Sequence, residues 1–369
     1  MPIFGDAQLH RHEPTYKILK EIPTGRNDTY LWVVWHEGFA KECVQKMVDM
    51  RGAPTSIAFA EPRLLEQIAG DGIVKIHEAQ HDGQNPGWVT FVMDYFEGGS
   101  LRSALDDGYR FSVREALDIV GDALVGLDRL QRHYGYIHRD PKPGNVLLLA
   151  DRRRGVLSDF DSAARASSGK APVENVTYSY LAPEAMPDGA TTFATDVYAM
   201  GVTLFEALNG PIAWDRMDMT ALMARLTSGK PGAVPGLLVW EPHIPHNVVR
   251  LVRKAMQREP RRRFPDAGSM LRALRNISVI DWRRVDRIDT IGTWEGSWPP
   301  SAPVDQRRVY RIVSQATRRR GVVAEAFQQL PGGEFRRFGI APVSAEVEGK
   351  GFLRVLFNRV DARVTSRRH

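Results

Sequence analysis

One cysteine, Cys43, in 369 residues leaves the chain without an internal disulfide or a cysteine-based metal cluster. That usage fits a reducing compartment. Long apolar runs are missing as well. VTFVM (89–93) and VLLLA (146–150) stay far short of the ~20 residues needed to span a bilayer. The opening MPIFGDAQLHRHEP has no apolar core ahead of a cleavage site. There is no internal repeat, and three RRR runs are the nearest thing to low complexity. These absences make a soluble, cytoplasmic protein with no membrane partner the expectation.

What is present is ordinary for a folded protein: 43% hydrophobic and 25% charged residues. The length allows about two or three domains at ~150 residues each. The charge is uneven. Residues 281–369 hold 17 Arg or Lys against 10 Asp or Glu, while the rest of the chain is close to neutral and the whole carries +6. Such asymmetry points to regions with different partners.

From Lys17 to Tyr95 the text favours strands: TYLWVVW, FAKECV, GIVKIHEA and WVTFVMDY are short, apolar or alternating, and bounded by turn residues. A single helix is expected over 57–69. After Gly98-Gly99 helices take over. Ser112 and Glu115 form a capping-box pattern ahead of Leu117, Val120, Leu124, Leu127 and Leu130 at helical spacing. A second helix over 196–208 stops at Asn209-Gly210, and a further helical unit lies in 260–277. Beyond Asp281, RRVYRIVSQA, GVVAEAFQQL and EFRRFGI read as strands, with a hairpin at 331–333 and a basic amphipathic helix over 352–364. Trp294, Trp298, Tyr310 and Phe338 are the expected core of this small sheet. The pattern predicts an α+β protein with two lobes.

HEAQH at 77–81 matches the H-E-x-x-H signature of zinc metallopeptidases. That chemistry needs both histidines on one helical turn. Here the motif lies in a β-branched stretch bounded by Gly70-Asp71-Gly72 and Asp82-Gly83, which predicts a strand. On a strand the two rings stand ~13 Å apart at ~3.3 Å per residue, too far to share a zinc. His10, His12, His133, His243 and His246 form no ligand set either.

YIHRDPKPGNVLL (136–148) carries the chemistry. It resembles the catalytic loop of protein kinases, H-R-D-x-K-x-x-N. The likeness continues in order: DFD (159–161) where the family has D-F-G, VTYSYLAPE (176–184) ending in A-P-E, DVYAMG (196–201), and Arg263 where a late arginine pairs with the A-P-E glutamate, here Glu184. The resemblance covers residues 17 to 277. It implies a bilobal fold, with an N-lobe over 1–94, a C-lobe over 95–280 and a small basic α+β accessory domain over 281–369.

The resemblance also implies a serine/threonine protein kinase using ATP and Mg²⁺ on a protein substrate. Asp140 would orient the acceptor hydroxyl and Lys142 would neutralise phosphate charge. Asn145 and Asp159 would hold the metal. Lys41, with Lys46 as runner-up, is the candidate for the lysine on the α- and β-phosphates, and Glu61 is placed to pair with Lys41. Met93, Asp94 and Phe96 match the segment that reads adenine. His138 would brace the metal-binding aspartate, and Asp196 would support the loop from behind. Arg139 would receive a phosphate on Ser167, Ser168 or Thr177.

Two departures stand out. The phosphate-covering loop, 23–28, keeps only Gly25 of the usual glycines, with Arg26 beside it, and Asp161 replaces the D-F-G glycine. They support an alternative, a pseudokinase acting as a nucleotide-sensing or protein-binding module. The basic charge of 281–369 suits an acidic protein or a nucleic acid, and a merely solvated basic surface is the other reading.

Overall fold

The computed structural model describes residues 16–365, apart from 25–27, 84, 215–217, 219, 221–223, 225–237, 286–290, 300–301, 318–320 and 347–349. The chain divides into two compact units. The first comprises residues up to Ala69 together with Val74–Tyr95, and the second Gly70–Ile73 together with Phe96 onward. Among the described residues no helix is long and apolar enough to cross a membrane.

The first unit is an antiparallel sheet of β1 (Tyr16–Ile22), β2 (Thr29–His36), β3 (Lys41–Asp49), β4 (Ile76–His81) and β5 (Trp88–Asp94), in the order β1-β2-β3-β5-β4. HEAQH lies in β4, as its β-branched flanks predict. The expected helix over 57–69 is two helices, α1 (Thr55–Ala58) and α2 (Ala60–Ile68). Pro62 explains the break. Its ring would clash with the carbonyl four residues back and it has no N–H to donate, so it is tolerated only in a first turn. From there Leu64, Leu65 and Ile68 recur at helical spacing and are buried.

The second unit starts with α3 (Leu101–Asp106) and is built on α4 (Val113–Tyr134) and α6 (Phe193–Asn209), with the four-residue α5 (Ala185–Asp188) between them. The α4 capping box forms as the sequence predicts, Ser112 and Glu115 each satisfying the other's backbone N–H. Gly135 ends α4 at φ 71°, a left-handed conformation that costs glycine little. Helix α6 is buried on every side from Thr195 to Leu208, which marks it as the central element. Helices α7 (His246–Ala255) and α8 (Ala267–Arg275) pack around it.

Residues from Asp281 form their own antiparallel sheet within this second unit. Its strands are β12 (Asp281–Arg284), β13 (Gly292–Trp298), β14 (Arg308–Ala316), β15 (Val322–Gln329), the two-residue β16 (Arg336–Arg337) and β17 (Val343–Ala345), the last pairing with β15. Helix α9 (Lys350–Thr365) covers one face, with Phe357 against Trp282 and Trp294 at 5.0 and 5.5 Å between centroids. Gly296 makes room for this packing, because a Cβ there would lie 2.6 Å from Trp282. Trp294, Trp298 and Tyr310 are buried. Phe338 is not a core residue: β16 ends before it, and its half-buried ring meets the edge of Tyr310. Polar contacts join this sheet and its covering helix to the rest of the unit. Asp281 accepts from the Arg114 N–H at 2.9 Å, Arg283 pairs with Glu115, and Arg354 donates to the carbonyl of Trp240 at 3.1 Å.

Candidate active site

In the second unit the loop after α4 is held by one buried carboxylate. Asp196, in the first turn of α6, accepts the backbone N–H groups of His138 and Arg139, each at 2.9 Å, and Gln131 Nε2 at 3.1 Å. Burial pushes its pKa up, against the pull of these donors. The grip imposes a turn, and Arg139 takes φ 70°, a costly conformation for a non-glycine residue. Strand β6 (Tyr136–Ile137) precedes the turn and pairs with β9 (Ala164–Arg165).

The loop then gathers its chemistry within a few residues. Lys142 Nζ donates to Asp140 Oδ2 at 2.5 Å and to Thr177 Oγ1 at 2.7 Å, while the Thr177 N–H donates to Asp140 Oδ1 at 3.1 Å. Asn145 Nδ2 donates to the Asp140 carbonyl at 2.9 Å, which turns its amide oxygen away from that bond. The Asn145 carbonyl accepts the Ser158 N–H at 2.9 Å, so strands β7 (Val146–Leu148) and β8 (Gly155–Leu157) bring Asp159 beside the loop. Asp159 sits at φ 61° and is followed by Phe160, buried against the His138 ring at 4.8 Å. His138 Nε2 lies 3.3 Å from the Ser158 carbonyl, bracing the residue before Asp159.

These donors fit a hard cation. An amide oxygen and a carboxylate, completed by phosphate oxygens, are the set Mg²⁺ prefers. Among the described residues no cluster of three or more His, Cys, Asp or Glu offers a different metal site. His77 and His81 line a groove of about 660 Å³ between α2 and β4, and the His81 ring meets Phe59 edge-on at 4.9 Å.

The segment after Asp159 is tied down at several points. Arg139 Nε donates to the Ser162 carbonyl and Nη1 to the Pro172 carbonyl at 3.1 Å, so the expected phosphate receiver is engaged by backbone. Ser162 Oγ donates to Asp161 at 2.9 Å. Strands β10 (Ala171–Pro172) and β11 (Ala190–Thr191) pair. Glu184 receives Arg263 at 2.7 and 2.5 Å through a guanidinium with no exposed surface, the expected pairing.

One cluster escaped the sequence reading. Arg102 on α3 and the Tyr180 hydroxyl both donate to Glu206, at 2.8 and 2.6 Å, and Trp214 Nε1 lies 3.2 Å from the same carboxylate. Burial, with Glu206 beside it, pushes the Tyr180 phenol far up. The available signal was Glu206 itself, an acid amid the apolar run of α6.

The first unit corrects one pairing. Glu61 meets Lys46 and not Lys41: Lys46 Nζ donates to Glu61 Oε2 at 2.8 Å, and each side chain is 9% exposed. Lys41 and Lys46 are five residues apart on β3, an odd number, so they face opposite sides of the sheet. Lys41 instead donates to Asp94 Oδ1 at 2.7 Å. Met93 and Asp94 end β5, and Phe96 follows half-buried. Gly25 and Arg26 lie outside the described residues.

A family model described as "Protein kinase domain" matches residues 32–273, about two thirds of the chain. The chain belongs to the protein kinase family. Among similar proteins, the serine/threonine-protein kinase PrkC of Bacillus subtilis is 28% identical over 202 residues, 54% of this kinase-family chain and 30% of PrkC. PknK of Mycobacterium tuberculosis is 32% identical over 200 residues, covering 53% and 18% of the two chains. PksC of Streptomyces coelicolor is 29% identical over 223 residues, covering 57% and 39%. This kinase-family chain spans less than half the length of the curated relatives it matches.

Proposed function

We propose that the chain is an ATP-dependent serine/threonine protein kinase. The observation that carries this is the Asp140–Lys142–Thr177 arrangement, a carboxylate and a cation 2.5 Å apart, with Thr177 bonded to both. Phosphoryl transfer is catalysed mainly by positioning and by charge stabilisation. Asp140 takes up the proton of the acceptor hydroxyl and orients its oxygen for in-line attack. Lys142 stabilises the charge that builds on the transferring group. Asn145 and Asp159 hold Mg²⁺, which when bound neutralises the phosphate oxygens and fixes their geometry. Glu61 orients Lys46 for the α- and β-phosphates, and residues 93–96 take adenine. The relatives' names support serine or threonine as the acceptor.

The 281–369 region is assigned to partner recognition. Its excess of positive charge, with Arg308, Arg336 and Arg337 exposed, suits an acidic protein surface. The test of the main reading is incubation with labelled ATP and Mg²⁺, alone and with a generic protein acceptor. Wild type should incorporate phosphate on serine or threonine, and Asp140→Asn should lower the rate by roughly a thousandfold or more. Wild type that binds ATP yet transfers no faster than Asp140→Asn would establish the pseudokinase instead.

A further inference from the structure

Lys41 and the first histidine of HEAQH have no part in the chemistry above, yet both converge on one carboxylate. Lys41 Nζ and His77 Nε2 each lie 2.7 Å from Asp94 Oδ1, and they are 3.2 Å from one another. A bare Nε2 would set lone pair against lone pair, so the distance assigns a proton to Nε2 and makes His77 a second donor to Asp94. The Asp94 N–H donates to the Lys75 carbonyl at 3.0 Å. Side chain and backbone of this residue are therefore both held, from β3, from β4 and from the residue leading into β4. Burial works against the Asp94 carboxylate, but the bonds from Lys41 and His77 outweigh it and keep its pKa below the usual range.

Local backbone serves the same contact. Strand β4 is irregular at this point: Ile76 pairs with Met93 and Glu78 with Val92, leaving His77 as the extra residue of a bulge. A bulge re-aims a side chain that regular alternation would point elsewhere. The turn between β2 and β3 holds Ala40 at φ 48°, a strained choice for a residue with a Cβ. In that turn the His36 ring accepts the Phe39 N–H at 3.2 Å. Phe39 stacks on His36 at 4.0 Å and reaches the His77 ring at 5.3 Å. Strained or irregular backbone on both sides of a single ion pair marks a site whose geometry matters.

Asp94 is the last residue of β5, and the first unit ends one residue later at Tyr95. We propose that Lys41, Asp94 and His77 form a positioning clamp that sets the backbone of residues 94–96 for adenine, controlling nucleotide affinity without touching the phosphates. This rests on the kinase reading given above. Lys41 and His77 act through Asp94 and are positioning residues.

The test uses the full chain, with equilibrium titration of a fluorescent ATP derivative beside steady-state kinetics. Lys41→Met should weaken binding and raise the ATP KM about tenfold, with kcat at saturating ATP within about twofold, because lost preorganisation is recovered by mass action. Lys41→Arg, which still reaches Asp94, should restore the affinity. Lys41→Met combined with Asp94→Asn should bind no worse than Lys41→Met alone, as expected of residues that act as one unit. Wild-type affinity in Lys41→Met overturns the clamp. So does a parallel loss of kcat and thermal midpoint that Lys41→Arg fails to rescue, since that marks a merely structural contact. The kinase reading fails separately: wild type that binds the derivative but transfers nothing refutes it, while the titration still decides the clamp. Wild type that binds no nucleotide overturns both.

Discussion

The loop after α4 and the N-terminal sheet place their charged groups by different physical means. In the loop Asp140, Lys142 and Asn145 lie within six residues, and short bonds among them and Thr177 set the geometry. One brace from outside, Asp196, holds two consecutive backbone N–H groups. In the sheet the ion pairs join residues far apart in sequence. Lys46 meets Glu61 and Lys41 meets Asp94 only because β3 pairs with β5 in one register and α2 lies over one face. Local spacing thus suffices to recognise the loop. In a sheet, moving a lysine by one position sends it to the other face.

The two lysines of β3 give the sharpest way to break this comparison. Lys46→Met removes the cation that pairs with the buried Glu61 carboxylate and should cost about 3–5 kcal/mol of stability. It should also lower phosphoryl transfer by at least about a hundredfold. Chemical denaturation and the labelled-ATP assay measure the two effects. Lys41→Met leaves Asp94 a third exposed and should cost no more than about 1 kcal/mol. Equal losses of stability in both variants would erase the distinction.

A half-buried carboxylate in the second unit sharpens it further. Asp361 on α9 has an indole in place of a cation: Trp282 Nε1 donates to it at 2.9 Å, and burial pushes its pKa up to about 7. The unfolded chain releases this proton near pH 4, whereas the folded chain keeps it to about pH 7. Stability is therefore fully present below pH 4 and falls as the pH rises through about 7, by about 4 kcal/mol at most. Asp361→Asn removes the titration. It should flatten the stability curve between pH 4 and 7 and leave the variant more stable than wild type at pH 8, as read by thermal denaturation.

A smaller effect than that of Asp361 concerns the bond between the C-terminal sheet and α4. Asp281 adds an acceptor at a helix N-terminus already capped by Ser112. Asp281→Ala should cost about 1–2 kcal/mol, visible as a lower urea midpoint. No change would mean that this bond does not brace α4.

Much of the architecture was legible beforehand. The α4 capping box, the end of α6 at Asn209-Gly210, HEAQH as a strand and the strands over 308–316 and 322–329 all follow from periodicity and end signals. The pairing of Glu184 with Arg263 followed from the family pattern. Other features were not legible. Arg102 gives no sign that it will meet Tyr180 and Glu206, because the three are brought together by packing of α3 against α6. Asp361 reads as one more charge on a basic helix, and nothing local shows that Trp282 will bury it.

By itself, then, the sequence determined the candidate constellation from Asp140 to Asp159, since those residue types recur on one short loop–strand–strand path, although Asp196 holds the turn of that loop from outside. Only the tertiary structure decided that Lys46 meets Glu61, that Lys41 and His77 meet Asp94, and that residues from Asp281 pack onto α4. Strand register, a one-residue bulge and helix docking are set by side chains distant in the chain, and no window of sequence contains both halves of such a contact.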